Sequence, residues 1–348
     1  MRIVTAIAFC LSALSLKSQD IHFSQFYMAP TQMNPALTGF FNGTIRAGIN
    51  YRDQWKSANA GYTTSAFSFD AGFFKKKWKS FHLGAGLFVI TDKAGDLDWR
   101  TNAIHASLSG VFLIDQQNKL AIGFQGGGVQ NSIQPQNARW DNQFNGQVYD
   151  PNLPSYQNIT SNTINYADFS TGISWNFGTE TATVSSREGF HINTGIAYHH
   201  LSQPDKTVLN QPHKLYSKVI LHVETRHLVK NTNFSIIPSM QYITQGPSYE
   251  LNTGTYIRFV VKDESKYTGF FKEAALSVGT FYRHKDAIIP AVLLEYANYA
   301  IGITYDTNVS SLKTATEMRG GLEIALRYIN PSPFRKQSAP KSKSTRFL

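Results

Sequence analysis

Residues 167–177 read Ala-Asp-Phe-Ser-Thr-Gly-Ile-Ser-Trp-Asn-Phe, so that large apolar residues alternate with small or polar ones. Successive side chains of a β-strand point to opposite sides, which places Phe169, Ile173 and Trp175 on one face. Asp168 and Ser174 fall on the other face. A tilted strand needs roughly 9–11 residues to cross a bilayer, whereas globular strands average about 5–6. The segment therefore predicts a membrane-crossing strand with one apolar face.

The same period of two recurs in fourteen segments along the chain, most of them 8–13 residues long. We predict strands at residues 44–51, 63–74, 80–91, 99–113, 119–133, 165–177, 189–200, 215–228, 234–245, 249–261, 273–282, 287–296, 299–306 and 320–328. The predicted fold class is all-β: a closed antiparallel transmembrane β-barrel of about 14 strands at residues 44–330, with a short N-terminal segment before the first strand.

Composition agrees with a barrel. Charged residues make up 16% of the 348 residues, against roughly 25% in soluble domains, while 42% are hydrophobic and 13% aromatic. Mean hydropathy is nevertheless negative, which excludes a bundle of membrane helices. Intrinsic disorder is excluded because this many apolar side chains can offset the entropy of ordering the chain. A lipid-facing surface would explain the shortage of charge.

The first eighteen residues have the pattern of a secretory signal peptide. Arg2 is followed by an apolar run at residues 3–14 that is too short to span a bilayer. Cleavage after Ser18 or after Ser15 fits the small residues there. The only cysteine, Cys10, lies inside the apolar run, so the mature chain is predicted to have no thiol and no disulfide.

The spacing of the predicted strands suggests an orientation. The long connections are the fifth (134–164), the seventh (201–214) and the thirteenth (307–319), and all three are odd-numbered. Outer-membrane barrels have short periplasmic turns and long outer loops, so we expect the odd connections outside and both termini in the periplasm. A soluble β-sandwich or propeller is the alternative. Pro238 and Pro290 predict bulges or strand ends, since proline removes a ladder hydrogen bond.

The most distinctive sequence lies at residues 19–43, before the first strand. It includes Phe23-Ser24-Gln25, Asn34-Pro35 and Thr38-Gly39. Asparagine, proline and glycine at these spacings indicate turns or helix caps. We predict a periplasmic or plug-like segment that fills one end of the barrel.

Three further motifs stand at or near strand ends. Arg52-Asp53-Gln54-Trp55 follows the first strand, Leu83-Gly-Ala-Gly-Leu87 with Asp92 and Gly95 belongs to the third, and Tyr305-Asp306-Thr-Asn308 ends the thirteenth. Together with the N-terminal segment, these four ordered motifs resemble the PorP/SprF family of type IX secretion system membrane proteins over nearly the whole mature chain.

The resemblance implies a non-enzymatic outer-membrane component of the type IX secretion or gliding machinery of Bacteroidota, without cofactors. It implies as partners other type IX components, an exported surface protein with a type B C-terminal sorting domain, and outer-membrane lipid. The alternative function is an outer-membrane channel or porin for a small solute. Nucleic acid is not an expected partner of an exported chain.

Structural roles can be assigned to the motif residues on physical grounds. Arg52 and Asp53 would brace a loop, and Trp55 with Tyr51 and Tyr62 fits an interfacial aromatic girdle, although direct partner contact stays open. Asp306 and Asn308 predict an Asx turn that leaves the thirteenth strand.

Two regions outside the motifs are candidates for contacts with other molecules. The connection at 134–164 carries aromatic residues that could anchor a partner, namely Trp140, Phe144, Tyr149 and Tyr156. Residues 331–348 hold five basic residues and no acid. They predict a flexible periplasmic tail, either simply solvated or in contact with anionic headgroups or peptidoglycan-linked proteins.

Other catalytic and ligand-binding patterns are weak. His199, His200 and Asp205 could stand at the rim of a barrel protease or lipase, but no triad spacing supports this. Asp92, Asp96 and Asp98 lack the spacing of a calcium loop. The glycines at 126–128 precede no helix or lysine and do not form a phosphate loop. We expect no metal and no catalysis.

Overall fold

The computed structural model describes residues 20–55, 61–75, 80–95, 97–134, 139–155, 162–182, 187–206, 214–262, 273–310 and 317–330. The predicted signal peptide (1–18) and basic tail (331–348) lie outside these residues.

Fourteen strands form one closed antiparallel barrel in which each strand pairs with its neighbours in sequence and β1 pairs with β14. This confirms the predicted fold class. The strands are β1 (Ile45–Gln54), β2 (Tyr62–Phe73), β3 (Phe81–Ala94), β4 (Trp99–Leu113), β5 (Asn118–Ser132), β6 (Thr163–Ala182), β7 (Arg187–His199), β8 (Lys218–Leu228), β9 (Phe234–Gln245), β10 (Ser248–Lys262), β11 (Ala274–Arg283), β12 (Ala287–Tyr296), β13 (Tyr299–Asn308) and β14 (Arg319–Asn330).

Alternation along the strands separates an apolar outer face from a polar lumen. Phe169, Ile173 and Trp175 are exposed outward, whereas Asp168 and Ser174 are buried on the lumen side. Large aliphatic and aromatic side chains continue this outward face around the barrel. The outer face therefore matches the lipid-facing surface that the sequence pattern predicts.

The strand connections define two ends of the barrel. We call the end that carries the odd-numbered connections the odd end, and the opposite end the even end. The fifth, seventh and thirteenth connections are long, but Gly246 and Pro247 alone join β9 to β10 at the odd end. At the even end, β6 ends at Ala182 and β7 begins at Arg187, so the sixth connection is shorter than predicted. The difference in connection length between the two ends is therefore smaller than the sequence suggested. That the odd end faces outward stays a prediction.

The two prolines lie within strands, so the expected bulges or strand ends are wrong. Pro238 pairs with Thr255 of β10, and Pro290 pairs with Thr280 of β11. On the other edge of each proline-containing strand, pairing with the neighbouring strand is interrupted for two residues and then resumes in the same register. A proline lacks only its own N–H, so a gap on one edge is enough to accommodate it.

Residues 20–43 occupy the inside of the barrel and are almost entirely buried. Three short helical turns shape this segment: 3₁₀ helices at Phe26–Met28 and Pro35–Leu37, and between them the single α-turn α1 (Pro30–Met33). No helix among the described residues is long and apolar enough to cross a membrane. The helical turns satisfy backbone groups locally where no strand partner is available.

The segment enters at the odd end and leaves at the even end. Asp20 contacts Lys218, the first residue of β8, and the Thr44 N–H donates to Asn330 O at the end of β14. The first and last described residues consequently lie at opposite ends of the barrel. This differs from the expectation that both termini share one side, because that expectation counted strands alone and missed the extra crossing through the lumen.

Candidate functional site

Three residues of separate sequence motifs meet in a buried ion cluster inside the barrel. The Ser24 hydroxyl donates to Asp306 Oδ1 at 2.8 Å, and Arg52 Nη2 donates to Asp306 Oδ2 at 3.0 Å. Arg283 of β11 adds a second guanidinium, with Nη2 2.9 Å from the same oxygen. Arg52, Arg283 and Asp306 are each about 97% buried in their side chains. Two arginines and one carboxylate therefore hold Ser24 away from water.

Glu323 of β14 completes this ion cluster and binds the backbone of the N-terminal segment. Its carboxylate accepts the N–H of Ser24 at 2.7 Å and that of Gln25 at 2.9 Å. Glu323 is the cross-strand partner of Arg52 where β1 and β14 close the barrel. The segment thus bridges the first and last strands, which no connection of the chain joins directly.

The remaining residues of the second and fourth motifs behave differently from expectation. Arg52 forms ion pairs with Asp306 and Glu323. It does not brace a loop with Asp53, which follows it in β1 and faces the opposite side of the sheet. Asp306 lies inside β13, so the predicted Asx turn is wrong, and β13 continues to the buried Asn308.

Gln54 is the last residue of β1, and Trp55 follows it at the odd end. Trp55 meets Tyr62 edge to face at 5.3 Å between ring centroids, and the backbone N–H of Trp55 donates to Gly320 O. Tyr51 and Tyr62 are exposed outward. This placement fits the aromatic girdle that the sequence suggested for Trp55.

Asn34 and Pro35 form the helix cap that the sequence predicts. Asn34 Oδ1 accepts the Ala36 N–H at 2.9 Å, which caps the helix at Pro35–Leu37. Asn34 Nδ2 donates to Ile173 O of β6 at 3.0 Å. One side chain therefore both caps the turn and fastens it to the barrel wall.

Glycines on β5 and β6 make room for this turn. A Cβ at Gly123 would lie 2.3 Å from Ala36 N, and one at Gly172 would lie 2.1 Å from Asn34 Oδ1. Any side chain at these positions would overlap the segment. The wall and the segment are complementary in shape, a feature that strand alternation alone does not reveal.

Gly39 marks the turn by which the segment approaches the even end. Its φ of +65° is costly for other residues, and its N–H donates to Asp70 Oδ2 at 2.7 Å. Arg46 of β1 binds both oxygens of Asp70 and also Leu37 O at 2.9 Å. The motif glycine is therefore required by backbone conformation and by a second buried ion pair.

Aromatic packing that the sequence reasoning missed fills the middle of the lumen. Tyr27 stacks on Phe281 at 5.6 Å and its hydroxyl lies 2.6 Å from that of Tyr256. Phe26 meets Phe281 edge to face at 6.1 Å. The inward large aromatics of β10 and β11 are a signal that could have indicated an occupied lumen. On the side of β7 and β8, a cavity of about 50 Å³ remains between Tyr27 and the wall.

The odd end of the segment is anchored by charged groups. Asp20 Oδ2 lies 2.6 Å from Lys218 Nζ and 3.1 Å from His200 Nε2. The other ring nitrogen of His200 lies 3.0 Å from Asp168 Oδ2. His200 has a φ of +59°, which is uncommon outside glycine and asparagine. Burial opposes the charged imidazole, but the hydrogen bonds with Asp168 and Asp20 outweigh it and raise the pKa of His200.

We expect attachment of this end to weaken as pH rises. A raised pKa means that protonated His200 contributes fully below its ordinary value of about 6.5, and that the contribution is lost as pH climbs through the raised value. The pKa of Asp20 is lowered well below its usual value, so this carboxylate does not titrate in this range. Burial is the main cause that lowers the pKa of His22 to about 4, which is outside the range as well.

The measurement is limited proteolysis of residues 20–22 in outer-membrane vesicles between about pH 6 and about pH 9, the range in which a perturbed histidine titrates. Cleavage should increase with pH, and His200→Gln should flatten this dependence. His284→Gln changes an exposed histidine at the same end and serves as the control. An unchanged pH profile in His200→Gln would argue against the anchor.

The fifth connection folds around Gln143. The Gln143 side chain donates to Leu153 O at 3.0 Å and accepts from Tyr149 OH at 3.3 Å. Phe144 is 56% exposed and Tyr149 is 37% exposed, while Trp140 is partly buried. Tyr156, the fourth predicted contact, lies outside the described residues. Two predicted aromatic contacts therefore do stand in water at the odd end.

The candidate rim residues do not form a catalytic triad. His199 faces Ser170 Oγ at 3.0 Å, whereas His200 pairs with Asp168 and Asp20 rather than with Asp205. Among the described residues, no group of three or more His, Cys, Asp or Glu side chains could hold a metal ion.

The closed barrel, its apolar outer face and its charged lumen define a membrane β-barrel of the outer-membrane type. Comparison with family models then identifies the particular family. The chain belongs to the type IX secretion system membrane protein PorP/SprF family, whose model matches residues 15–328. It is accordingly a membrane component of type IX secretion.

Solved structures with a similar fold include two outer-membrane barrels. A FadL homologue of Pseudomonas aeruginosa is 11% identical, with a TM-score of 0.45 over 85% of this chain and 92% of that one. The Pseudomonas putida toluene transporter TodX is 9% identical, with a TM-score of 0.47 over 89% and 98%. Comparison with curated protein sequences finds no significant match. The likeness concerns the barrel fold and not what those proteins transport.

Proposed function

We propose that this protein supports export or surface anchoring of a partner with a type B C-terminal sorting domain, and that it does so without catalysis. The observation that carries the proposal is the occupied lumen. Residues 20–43 run through the barrel and are fastened by Asp306, Glu323 and Asp70. A barrel closed in this way works through its outer surface and its loops.

The fifth connection supplies a surface suited to a protein partner. Phe144, Val148 and Tyr149 are exposed and belong to a stretch that is held in shape by Gln143. Aromatic residues on a preorganised loop are typical centres of protein interfaces, since they bury a large area at little entropic cost. The odd end, where this surface lies, faces outward in the proposal.

We expect Phe144→Ala to weaken partner binding. Removing a central aromatic anchor costs about 2 kcal/mol or more, equivalent to roughly a thirtyfold loss of affinity. The measurement is recovery of the partner with the affinity-purified protein from its native outer membrane. Tyr296→Ala removes an aromatic residue that is equally exposed, 59%, at the even end, and it should leave recovery unchanged. Equal recovery with both variants would exclude Phe144 as an anchor.

The same purification tests the proposed function as a whole. Full-length protein solubilised from its own outer membrane should carry type IX components and a surface protein with a C-terminal sorting domain. Recovery of neither would contradict the proposal, whatever the effect of the Phe144 variant.

A channel for a small solute is the second candidate, favoured by the space left in the lumen. Besides the cavity beside Tyr27, a second cavity of about 40 Å³ is lined by Tyr256 and Arg258 of β10 and by Glu295 of β12. Planar-bilayer recordings separate the two functions. Sustained ion conductance by the intact protein would favour the channel, and a silent bilayer would favour anchoring.

A further inference from the structure

The direction of the N-terminal segment is fixed by contacts at its first residue. Asp20 lies against three groups of the odd end: its carboxylate contacts Lys218 and His200, and its N–H donates to the Gln245 side chain at 3.1 Å. Lys218 begins β8, His200 follows β7, and Gln245 ends β9. Asp20 therefore stands in the odd mouth of the barrel.

The other end of the segment is fixed equally well. Lys75, in the second connection at the even end, donates from Nζ to Phe41 O and to Gly43 O, both at 2.8 Å. Thr44 then pairs with Asn330, the last residue of β14. Between Asp20 and Thr44 the chain thus crosses the whole lumen once.

The geometry points to a protein that presents its two chain ends on opposite sides of the membrane. Asp20 lies at the odd end, on the side of the fifth connection, and Asn330 lies at the even end. This topology rests on the membrane barrel and not on the proposed partner. It makes Asp20 part of the surface around the odd mouth.

A return of the preceding chain to the even end would require a second crossing. The hydrocarbon core is about 30 Å thick, so a crossing needs roughly nine extended residues. The obvious path is blocked at the level of Ser24 and Gln25, which are 1% and 0% exposed and are enclosed by Arg52 and Glu323. Backbone groups on such a path would also need partners that this filled region does not offer.

The topology has a consequence for assembly. Arg52 on β1 and Glu323 on β14 both bind residues 22–25, and these two strands pair last to close the barrel in chain order. The contacts of the segment with both strands are therefore complete only once these strands have paired.

Cysteine labelling of the full-length protein in intact cells tests the topology. The same Gly-Ser-Cys-Ser-Gly insertion is placed between Gln19 and Asp20, after Gly146 in the fifth connection, and after Gln116 in the fourth, each with Cys10→Ser. Gly146 and Gln116 are exposed at the odd and even ends. We expect a membrane-impermeant maleimide to label the first two alike, and to label the Gln116 insertion only after lysis.

Each outcome is decisive. Labelling of the Gln19 insertion in parallel with the Gln116 insertion overturns the inference, as does a Gln19 insertion that stays unlabelled even after lysis. A third outcome is that the insertions at Gln19 and Gly146 are both protected in intact cells while the insertion at Gln116 is labelled. Asp20 and the fifth connection would then still lie on the same side of the membrane. That side would be the periplasm, which contradicts the outward-facing loop of the proposed function. An insertion that prevents assembly, seen as loss of the heat-modifiable band, is replaced by an epitope tag at the same site read by protease protection.

Discussion

Asp306→Ala is expected to lower the free energy of unfolding of the barrel by about 3–5 kcal/mol, the usual cost of removing one partner from a buried ion pair. Asp306 is 2% exposed and faces both Arg52 and Arg283. Without its carboxylate, the two guanidinium groups would stay buried with Glu323, Glu250 and Asp286 as their remaining acidic neighbours. The Ser24 hydroxyl would lose its acceptor as well.

The unfolding free energy is measured by urea titration in detergent or lipid, followed by the heat-modifiable band and by fluorescence. Lys93→Ala is the control, because Lys93 pairs with Asp98 at 2.6 Å while 46% exposed. Exposed pairs contribute about 0–1 kcal/mol. Similar losses in the two variants would mean that the ion cluster is not a principal stabiliser of the barrel.

A second substitution at the same position separates the effect of the charge from that of the hydrogen bond to Ser24. Asp306→Asn keeps an oxygen that can accept from Ser24 but removes the negative charge. Most of the loss seen with Asp306→Ala should persist if charge balance of Arg52 and Arg283 dominates. Recovery of wild-type stability would show that the hydrogen bond to Ser24 matters more.

Gly123→Ala is expected to displace the N-terminal segment and open the lumen to ions. The new Cβ would stand 2.3 Å from the backbone at both Ala36 and Pro35. Backbone atoms cannot move aside as the end of a flexible side chain can, and overpacking of this kind costs about 1–3 kcal/mol. The Asn34 cap, held by Ile173 O, would be pushed out of place. Single-channel recordings should show conductance that the unmodified protein lacks.

Gly128→Ala provides the matched control on the same strand. Its Cβ would meet nothing within 4 Å, so the segment should stay seated and the bilayer silent. Silent recordings from both variants, with unchanged proteolysis of residues 20–43, would mean that the glycine wall does not hold the segment. Conductance in both would point to an effect of alanine on β5 itself.

Much of the fold follows from a local property of the chain. Period-two alternation lies within each strand, and it predicted all fourteen strands and the outward face of residues such as Phe169. The Asn34 cap was predictable for the same reason, since its acceptor and donor are two residues apart. The bulges or strand ends predicted at Pro238 and Pro290 were wrong. A proline interrupts the hydrogen bonds on only one edge of its strand, and which edge that is depends on the register of the sheet.

The candidate site could be predicted from the sequence only in part. The motifs indicated Ser24, Arg52 and Asp306 but not that they touch, since 254 residues separate Arg52 from Asp306. Glu323 and Arg283 were missed because an inward charge on a strand gives no sign of its partner. Asp306 was wrongly assigned to a turn because β13 continues two residues further than its apolar alternation suggests.

By itself the sequence determined a closed barrel, the division between lipid and lumen faces, and a capped N-terminal segment. Only the tertiary structure decided that this segment enters beside Asp20 at one end and leaves at the other, and that its buried cluster ties β1 to β14. The physical reason is distance along the chain. Alternation and capping involve neighbouring residues, whereas closure brings Arg52 opposite Glu323 through a register that all fourteen strands set together.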